Sequence, residues 1–216
     1  MGGRITGLKL QKKNTSRVNV YLDDAFSFGL AAVLAADLKV GQQLDDDMIA
    51  ELRQKDAEEE AYQRALRFIA RRPHAEQELR LKLQRKQPDQ RVLDAVILRL
   101  KEHQWLDDAA FAAAWVENRR TFRPRSARAL RSELRGKGVS RETTEESLEG
   151  YDEAGAAYDA GQKAARRWND ASRDEFFKRV GAYLARRGFA YATITPVVER
   201  LWCETIGDDE ESEECQ

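Results

Sequence analysis

The sequence predicts a mainly α-helical protein, an elongated, curved array of three tandem three-helix repeats behind a small N-terminal antiparallel β-hairpin or meander. Three observations carry this. Short, alternating, β-branched segments occur only before about residue 31. From residue 57 onward the apolar spacing is helical throughout. That helical pattern then returns at intervals of about fifty residues. Across the 216 residues, 42% are hydrophobic and 35% charged, a mixture that suits a helix-rich, elongated chain better than one large core.

The elements follow in chain order. "RITGLKL" and "RVNVYLD" read as two short strands separated by the polar turn "QKKNTS", and "AFSFGL" adds a third after an Asp23-Asp24 turn. So small a sheet needs the following helices to cover it. "AAVLAADLKVG" reads as a short helix stopped at Gly41. Asp45, Asp46 and Asp47 cap the next helix, where acids suit the first turn. Within the repeats, "EQELRLKLQRKQ", "ARALRSELRGKG" and "FKRVGAYLARRG" align, so that Leu79, Leu130 and Val180 coincide, as do Leu83, Leu134 and Leu184. Ile97, Leu148 and Val198 match one helix later, and Tyr62, Phe111 and Tyr158 open the three units. The expected division is residues 1–56 for the N-terminal unit, then repeats over 57–106, 107–152 and 153–204. Residues 205–216 form an acidic tail expected to be disordered.

Charge is unevenly placed. The net charge is −1, but seven acids lie in "ETIGDDEESEECQ", so residues 1–203 carry +6. The tail reads as a solubilising end or as a tether that competes for the basic face. Residues 118–138 hold seven arginines and Lys137 against the single acid Glu133. There Ala127, Leu130 and Leu134 share one helical face, and Arg128, Arg131 and Arg135 repeat that spacing one residue later. Pro124 fits the start, Ser126 the N-cap, and Gly136 or Gly138 the end. The second helix of every repeat is basic: Arg80, Lys82, Arg85 and Lys86 in the first, and Lys178, Arg179, Arg186 and Arg187 in the third.

Other classes find little support. Cys203 and Cys215 are too few for a disulfide framework or a zinc ligand set. His74 and His103 lie in charged helical sequence and read as exposed or half-packed rather than metal-binding or acid–base groups. No phosphate loop, nucleophile elbow or histidine-centred metal motif is present, so neither a cofactor, a metal nor a catalytic residue is expected, and the chain does not read as an enzyme. No long apolar run marks a signal peptide or membrane span, which leaves the cytoplasm as the expected location.

"WLDDAAFAAAWVENRR" (Trp105–Arg120) resembles the "L-D-D-x-x-F-A" signature of the RecX family of bacterial regulators of the RecA recombinase. "ELRLKLQRK", "ELRGKGVS" and "YLARRGFAYATI" are similar to the second helices of that family's three repeats, and the N-terminal segment to the β-hairpin region of its longer members. Read without the family, Asp107 or Asp108 caps a helix whose buried face is Phe111, Ala112, Trp115 and Val116. Ala75 stands where a capping serine is usual, and Gln87 where the other repeats have glycine. The resemblance implies binding to RecA filaments on single-stranded DNA, with inhibition of strand exchange and of the coupled ATP hydrolysis.

The basic residues expected to face the filament are Arg119, Arg120, Arg123, Arg125, Arg128, Arg131, Arg135 and Lys137, with Lys178, Arg179, Arg186 and Arg187 from the third repeat. They would meet protein carboxylates, DNA phosphates or both. Sequence-independent binding to single- or double-stranded DNA is the alternative, although only Phe122 and Trp168 sit beside arginines as stacking groups. A helical scaffold for an acidic protein is the third reading. A monomer is the simpler expectation.

Overall fold

The computed structural model describes residues 2–87 and 89–206. The acidic residues from 207 onward, with most of the expected tail, lie outside the described residues. The chain divides into two compact units between Asp107 and Asp108.

The first unit opens with three strands, β1 (Gly3–Gln11), β2 (Asn14–Leu22) and β3 (Ala25–Ala31), paired antiparallel in sequence. Alternation puts Val18, Val20 and Leu22 on the buried face, opposite Leu30, Phe28 and Ile5. Asp23 and Asp24 both take positive φ, 45° and 65°, as a tight turn matching the twist of the flanking strands requires. The first turn is shorter than expected. The strands continue through Gln11 and Asn14, leaving only Lys12 and Lys13 between them.

The expected helix ending at Gly41 is also corrected. Helix α1 covers only Ala32–Ala35. The chain then turns through Gly41, at φ +95°, and lays down β4 (Gln43–Leu44) beside Gly3 and Arg4, giving the sheet order β3-β2-β1-β4. Hydrogen bonds from Gly41 N to Ile5 O (2.7 Å) and from Ile5 N to Gln42 O (2.8 Å) outweigh the helix propensity of this alanine- and leucine-rich stretch.

Asp45 caps α2 (Asp46–Ile69), accepting a hydrogen bond from Met48 N at 2.7 Å. This 24-residue helix, about 36 Å long, belongs to both parts of the first unit. Ile49 and Leu52 cover the sheet, whereas Ala61, Tyr62 and Ala65 enter the core of the first repeat. Asp56 anchors it to the sheet by accepting from Arg17 Nη2 and from Ala31 N, each at 2.7 Å.

The repeats follow: α2 with α3 (Glu76–Gln84) and α4 (Gln90–Glu102); α5 (Asp108–Phe122), α6 (Ala127–Gly136) and α7 (Arg141–Ser147); and α8 (Glu153–Ala165), α9 (Arg173–Arg186) and α10 (Tyr191–Ile206). The aligned leucines and valine, Leu79, Leu130 and Val180 with Leu83, Leu134 and Leu184, are all fully buried. Ile97 and Val198 on the third helices α4 and α10, and Leu148 at the end of α7, are also buried. Glu204, counted with the tail, lies on α10.

One expectation about histidine fails. His74 is only 5% exposed, packed on Phe68, with Nδ1 2.8 Å from Arg72 O and Nε2 2.7 Å from Lys82 Nζ. These contacts assign the neutral imidazole that donates from Nδ1 and accepts the lysine proton at Nε2. Burial lowers its pKa; the bond to the Arg72 carbonyl opposes this, and the nearby Arg72 and Lys82 charges reinforce it. The unfolded chain therefore takes the proton more readily. The stabilisation is complete above about pH 6.5 and is lost as pH falls below that value through the lower folded one. Urea midpoints measured from pH 8 to pH 5 should show the advantage of the native chain over His74→Phe shrinking across this range. The paired carboxylates Glu59 and Glu76, which titrate below the ordinary range, contribute only at lower pH.

The second and third repeats meet at a glycine. Gly188 has φ +95°, and a Cβ there would lie 2.6 Å from Ser126 Oγ and 3.0 Å from Ala129 Cβ. Ser126 is fully buried; its Oγ accepts from Ala129 N, and its N donates to Arg187 O. Gly188→Ala should therefore cost about 3 kcal/mol through backbone strain and displacement of the α6 cap. Gly136→Ala, with nothing within 4 Å of the added Cβ, should gain about 0.5 kcal/mol. Thermal denaturation of both variants checks the contrast.

Candidate functional site

The basic surface of the second unit starts from Glu133, the one acid in the arginine run. It accepts from Trp115 Nε1 at 2.8 Å, Arg119 Nε at 2.7 Å and Arg125 Nε at 2.9 Å. Arg119 also lies over the Trp115 ring at 4.4 Å, and Lys137 Nζ lies 5.3 Å from its centroid. Trp115 is thus half-buried and bonded at its edge, whereas Phe111, Ala112 and Val116 form the buried face of α5 as the periodicity predicts. Glu133 therefore draws α5, the following loop and α6 together.

Further contacts fix that loop. Arg187 donates to Pro124 O at 3.1 Å and to Tyr183 Oη at 2.6 Å, with its guanidinium over the Tyr183 ring. Tyr151 Oη donates to Arg125 O at 2.7 Å. Burial and the neighbouring Glu153 charge push the Tyr151 phenol up to about 12, so it stays a donor at neutral pH. Ser126 caps α6 as expected, and Glu153 accepts from Ala127 N at 3.2 Å.

A second clasp recurs. Arg131 on α6 grips Glu145 on α7 through Nε (3.0 Å) and Nη2 (2.9 Å). The carboxyl of Glu145 is held below its ordinary range by that hydrogen bond. Arg80 on α3 holds Asp94 on α4 at 2.6 Å, with the same fourteen-residue separation. A third motif pairs arginine with the aromatic that opens a repeat: Arg99 lies 3.8 Å from the Tyr62 centroid, and Arg200 4.2 Å from that of Tyr158. Each arginine also pairs with a carboxylate, Glu59 or Glu204.

The twelve expected contact residues therefore separate into groups. Arg119, Arg125, Arg131 and Arg187 hold the fold together at short distances. Arg120 and Arg179 make exposed pairs at 3.5 Å with Glu117 and Glu175, weak by geometry. Lys137 lies against Trp115. Arg123, Arg128, Arg135, Lys178 and Arg186 are exposed, and their side chains make no hydrogen bond, ion pair or ring contact within the described residues. Arg128 and Arg135 stand two turns apart on α6, and Lys178 and Arg186 stand eight residues apart on α9. The run of residues 119–137 did not bring Arg141 to notice. This exposed arginine opens α7 and lines a surface pocket of about 350 Å³ with Arg131, Arg135 and Glu145. Its sequence signal is its place directly after the Ser140 cap. Of the two aromatics beside arginines, Phe122 is 68% exposed, while Trp168 packs on the third-repeat core.

Fold and surface together define a protein of tandem three-helix repeats whose second and third repeats carry a basic face. Among the described residues no helix is long and apolar enough to cross a membrane. Three family descriptions match in order: the Regulatory protein RecX N-terminal domain over residues 3–45, the first RecX three-helix domain over 61–100, and the second over 107–148. The chain belongs to the RecX family of regulatory proteins. Regulatory protein RecX of Bacillus subtilis strain 168 is 31% identical over 211 residues, 95% of this chain and 80% of that protein. The protein of the same name from Clostridium botulinum strain Alaska E43 is 30% identical, over 91% of this chain and 95% of its own length. A crystal structure of regulatory protein RecX matches the fold with a TM-score of 0.69 at 24% identity, covering 95% of this chain and 99% of the other. RecX from Lactobacillus salivarius matches with a TM-score of 0.60 at 19% identity, over 68% of this chain and 97% of that one.

Proposed function

We propose that this chain binds RecA recombinase filaments on single-stranded DNA and restrains their ATP hydrolysis and strand exchange by occupancy. The observation that carries the reading is the set of exposed basic side chains that have no partner among the described residues: Arg123, Arg128, Arg135, Lys178 and Arg186. On a solvated helix face, an arginine gains from an acid three or four residues away. Here Glu133 and Glu145, on other elements, hold Arg119, Arg125 and Arg131, and the five exposed cations extend from the scaffold so formed. Arginine forks suit carboxylates and phosphates alike, as a surface meeting both protein and DNA requires. Family membership supports the choice of recombinase as partner.

The test is DNA-dependent ATP hydrolysis by the RecA recombinase at fixed single-stranded DNA, titrated with this chain. Inhibition well below one chain per recombinase protomer, unchanged by added free strand, supports the proposal. The exposed Phe122 beside Arg119 and Arg123 favours a second reading, direct single-strand binding with base stacking. Under that reading, excess free strand removes the inhibition, and Phe122→Ala weakens binding to oligothymidine.

A further inference from the structure

The repeats differ at one equivalent place. Arg80 and Asp94 join the second and third helices of the first repeat, and Arg131 and Glu145 do so in the second. The same alignment puts Gly181 and Thr195 at these positions in the third. There α9 and α10 leave an open groove of about 350 Å³, lined by Phe177, Gly181, Ala185, Tyr191 and Ile194 with Thr195. Its counterpart in the second repeat has the same volume but is walled by Arg131, Arg135, Arg141 and Glu145.

Packing does not require this glycine. A Cβ on Gly181 would meet only Ile194 Cγ2, at an ordinary 3.7 Å. Glycine inside a helix lowers its stability relative to alanine, and its structural effect here is to keep the groove open. Thr195 Oγ1 donates to Tyr191 O at 3.1 Å, so the threonine offers its methyl group. Tyr191 is 82% exposed at the rim. Ala182 lines the groove, and Lys178 and Arg186 lie one turn before and one turn after it on α9. These exposed cations, about 12 Å apart along the helix axis, have no partner within the described residues.

We infer that the α9–α10 groove of the third repeat docks an acidic, amphipathic polypeptide segment, seating an aliphatic side chain between Gly181 and Ile194 while flanking carboxylates pair with Lys178 and Arg186. The inference specifies part of the surface proposed above and rests on that reading only for the use of these two cations. The two cations one turn either side of Ala182 select carboxylates. The aliphatic lining, with its threonine hydroxyl already committed, suits a leucine-like anchor better than a base edge that seeks hydrogen bonds. Seating a side chain of a partner helix in such a groove is a recurrent recognition mode.

The test uses the full chain and a labelled helical peptide of glutamates with leucines at i and i+4, compared with versions carrying lysine for glutamate or alanine for leucine, and with oligothymidine. Fluorescence anisotropy should show the glutamate–leucine peptide binding roughly tenfold tighter than either peptide control, and it should shift the amide resonances of Gly181 and Ala182. Gly181→Arg with Thr195→Glu transplants the second-repeat clasp and should remove that binding, as should Lys178→Glu with Arg186→Glu, which changes only exposed side chains. Equal binding by either variant, equal binding of the leucine-free peptide, or shifts produced by oligothymidine alone would overturn the inference. Neither recombinase nor recombinase filament enters this assay, so its outcome is independent of the ATP hydrolysis titration.

Discussion

Arg128→Glu combined with Arg135→Glu is expected to abolish inhibition of the recombinase while leaving helical content and melting temperature unchanged. Both side chains are exposed on α6 and make no hydrogen bond, ion pair or ring contact within the described residues, so reversing them removes nothing the fold uses. Against a surface of carboxylates and phosphates, each reversal exchanges attraction for repulsion. At about 1–2 kcal/mol apiece, the pair should shift the inhibition curve by roughly 100-fold. Adding Arg131→Glu would confuse the result, because Glu145 would lose its bidentate partner and face a second carboxylate. Circular dichroism and an ATP hydrolysis titration of the double variant check the prediction together.

Glu133→Ala should act in the opposite way, through stability. The substitution leaves the Trp115 indole N–H without its acceptor and releases Arg119 and Arg125, both partly buried. Stranding these donors should cost about 2 kcal/mol, with part of the loss recovered by solvent at the more exposed Arg125. Glu133→Gln keeps one acceptor and should recover about half of that cost. Urea denaturation of the two variants measures the difference. Once folded, Glu133→Ala frees two more arginines, so its inhibition of the recombinase should persist.

The parts of this molecule that depend on local periodicity were open to reading from the sequence. Leucine or valine at positions 79, 130 and 180, and leucine at 83, 134 and 184, follow from helical spacing, and all six side chains are buried. Asp23-Asp24 and the Ser126 cap follow from turn and cap chemistry. The stretch after Ala35 misled because its composition favours helix, whereas pairing of Gln43 and Leu44 with β1 is a long-range demand on only two residues. His74 misled because it lies in sequence that reads as charged and helical, whereas its burial depends on Phe68 and on Lys82 in the next helix.

At the basic surface the residue set was legible, but its division into paired and unpaired groups was not. Helical charge patterns reveal partners at i+3 or i+4. The decisive pairs, Arg119 with Glu133 and Arg131 with Glu145, instead join different helices across fourteen residues. The recurrence of that separation in Arg80 and Asp94 makes it a repeat feature once the alignment is known. Its loss at Gly181 and Thr195 is then visible in the alignment as well.

The most direct measurement is binding of the fluorescently labelled chain to preassembled recombinase filaments, in competition with excess unlabelled single strand and with the Arg128→Glu, Arg135→Glu variant in parallel. The account predicts saturable binding by the native chain that survives the free strand and is lost in the variant. Binding that the competitor removes, or that the variant retains in full, would contradict it.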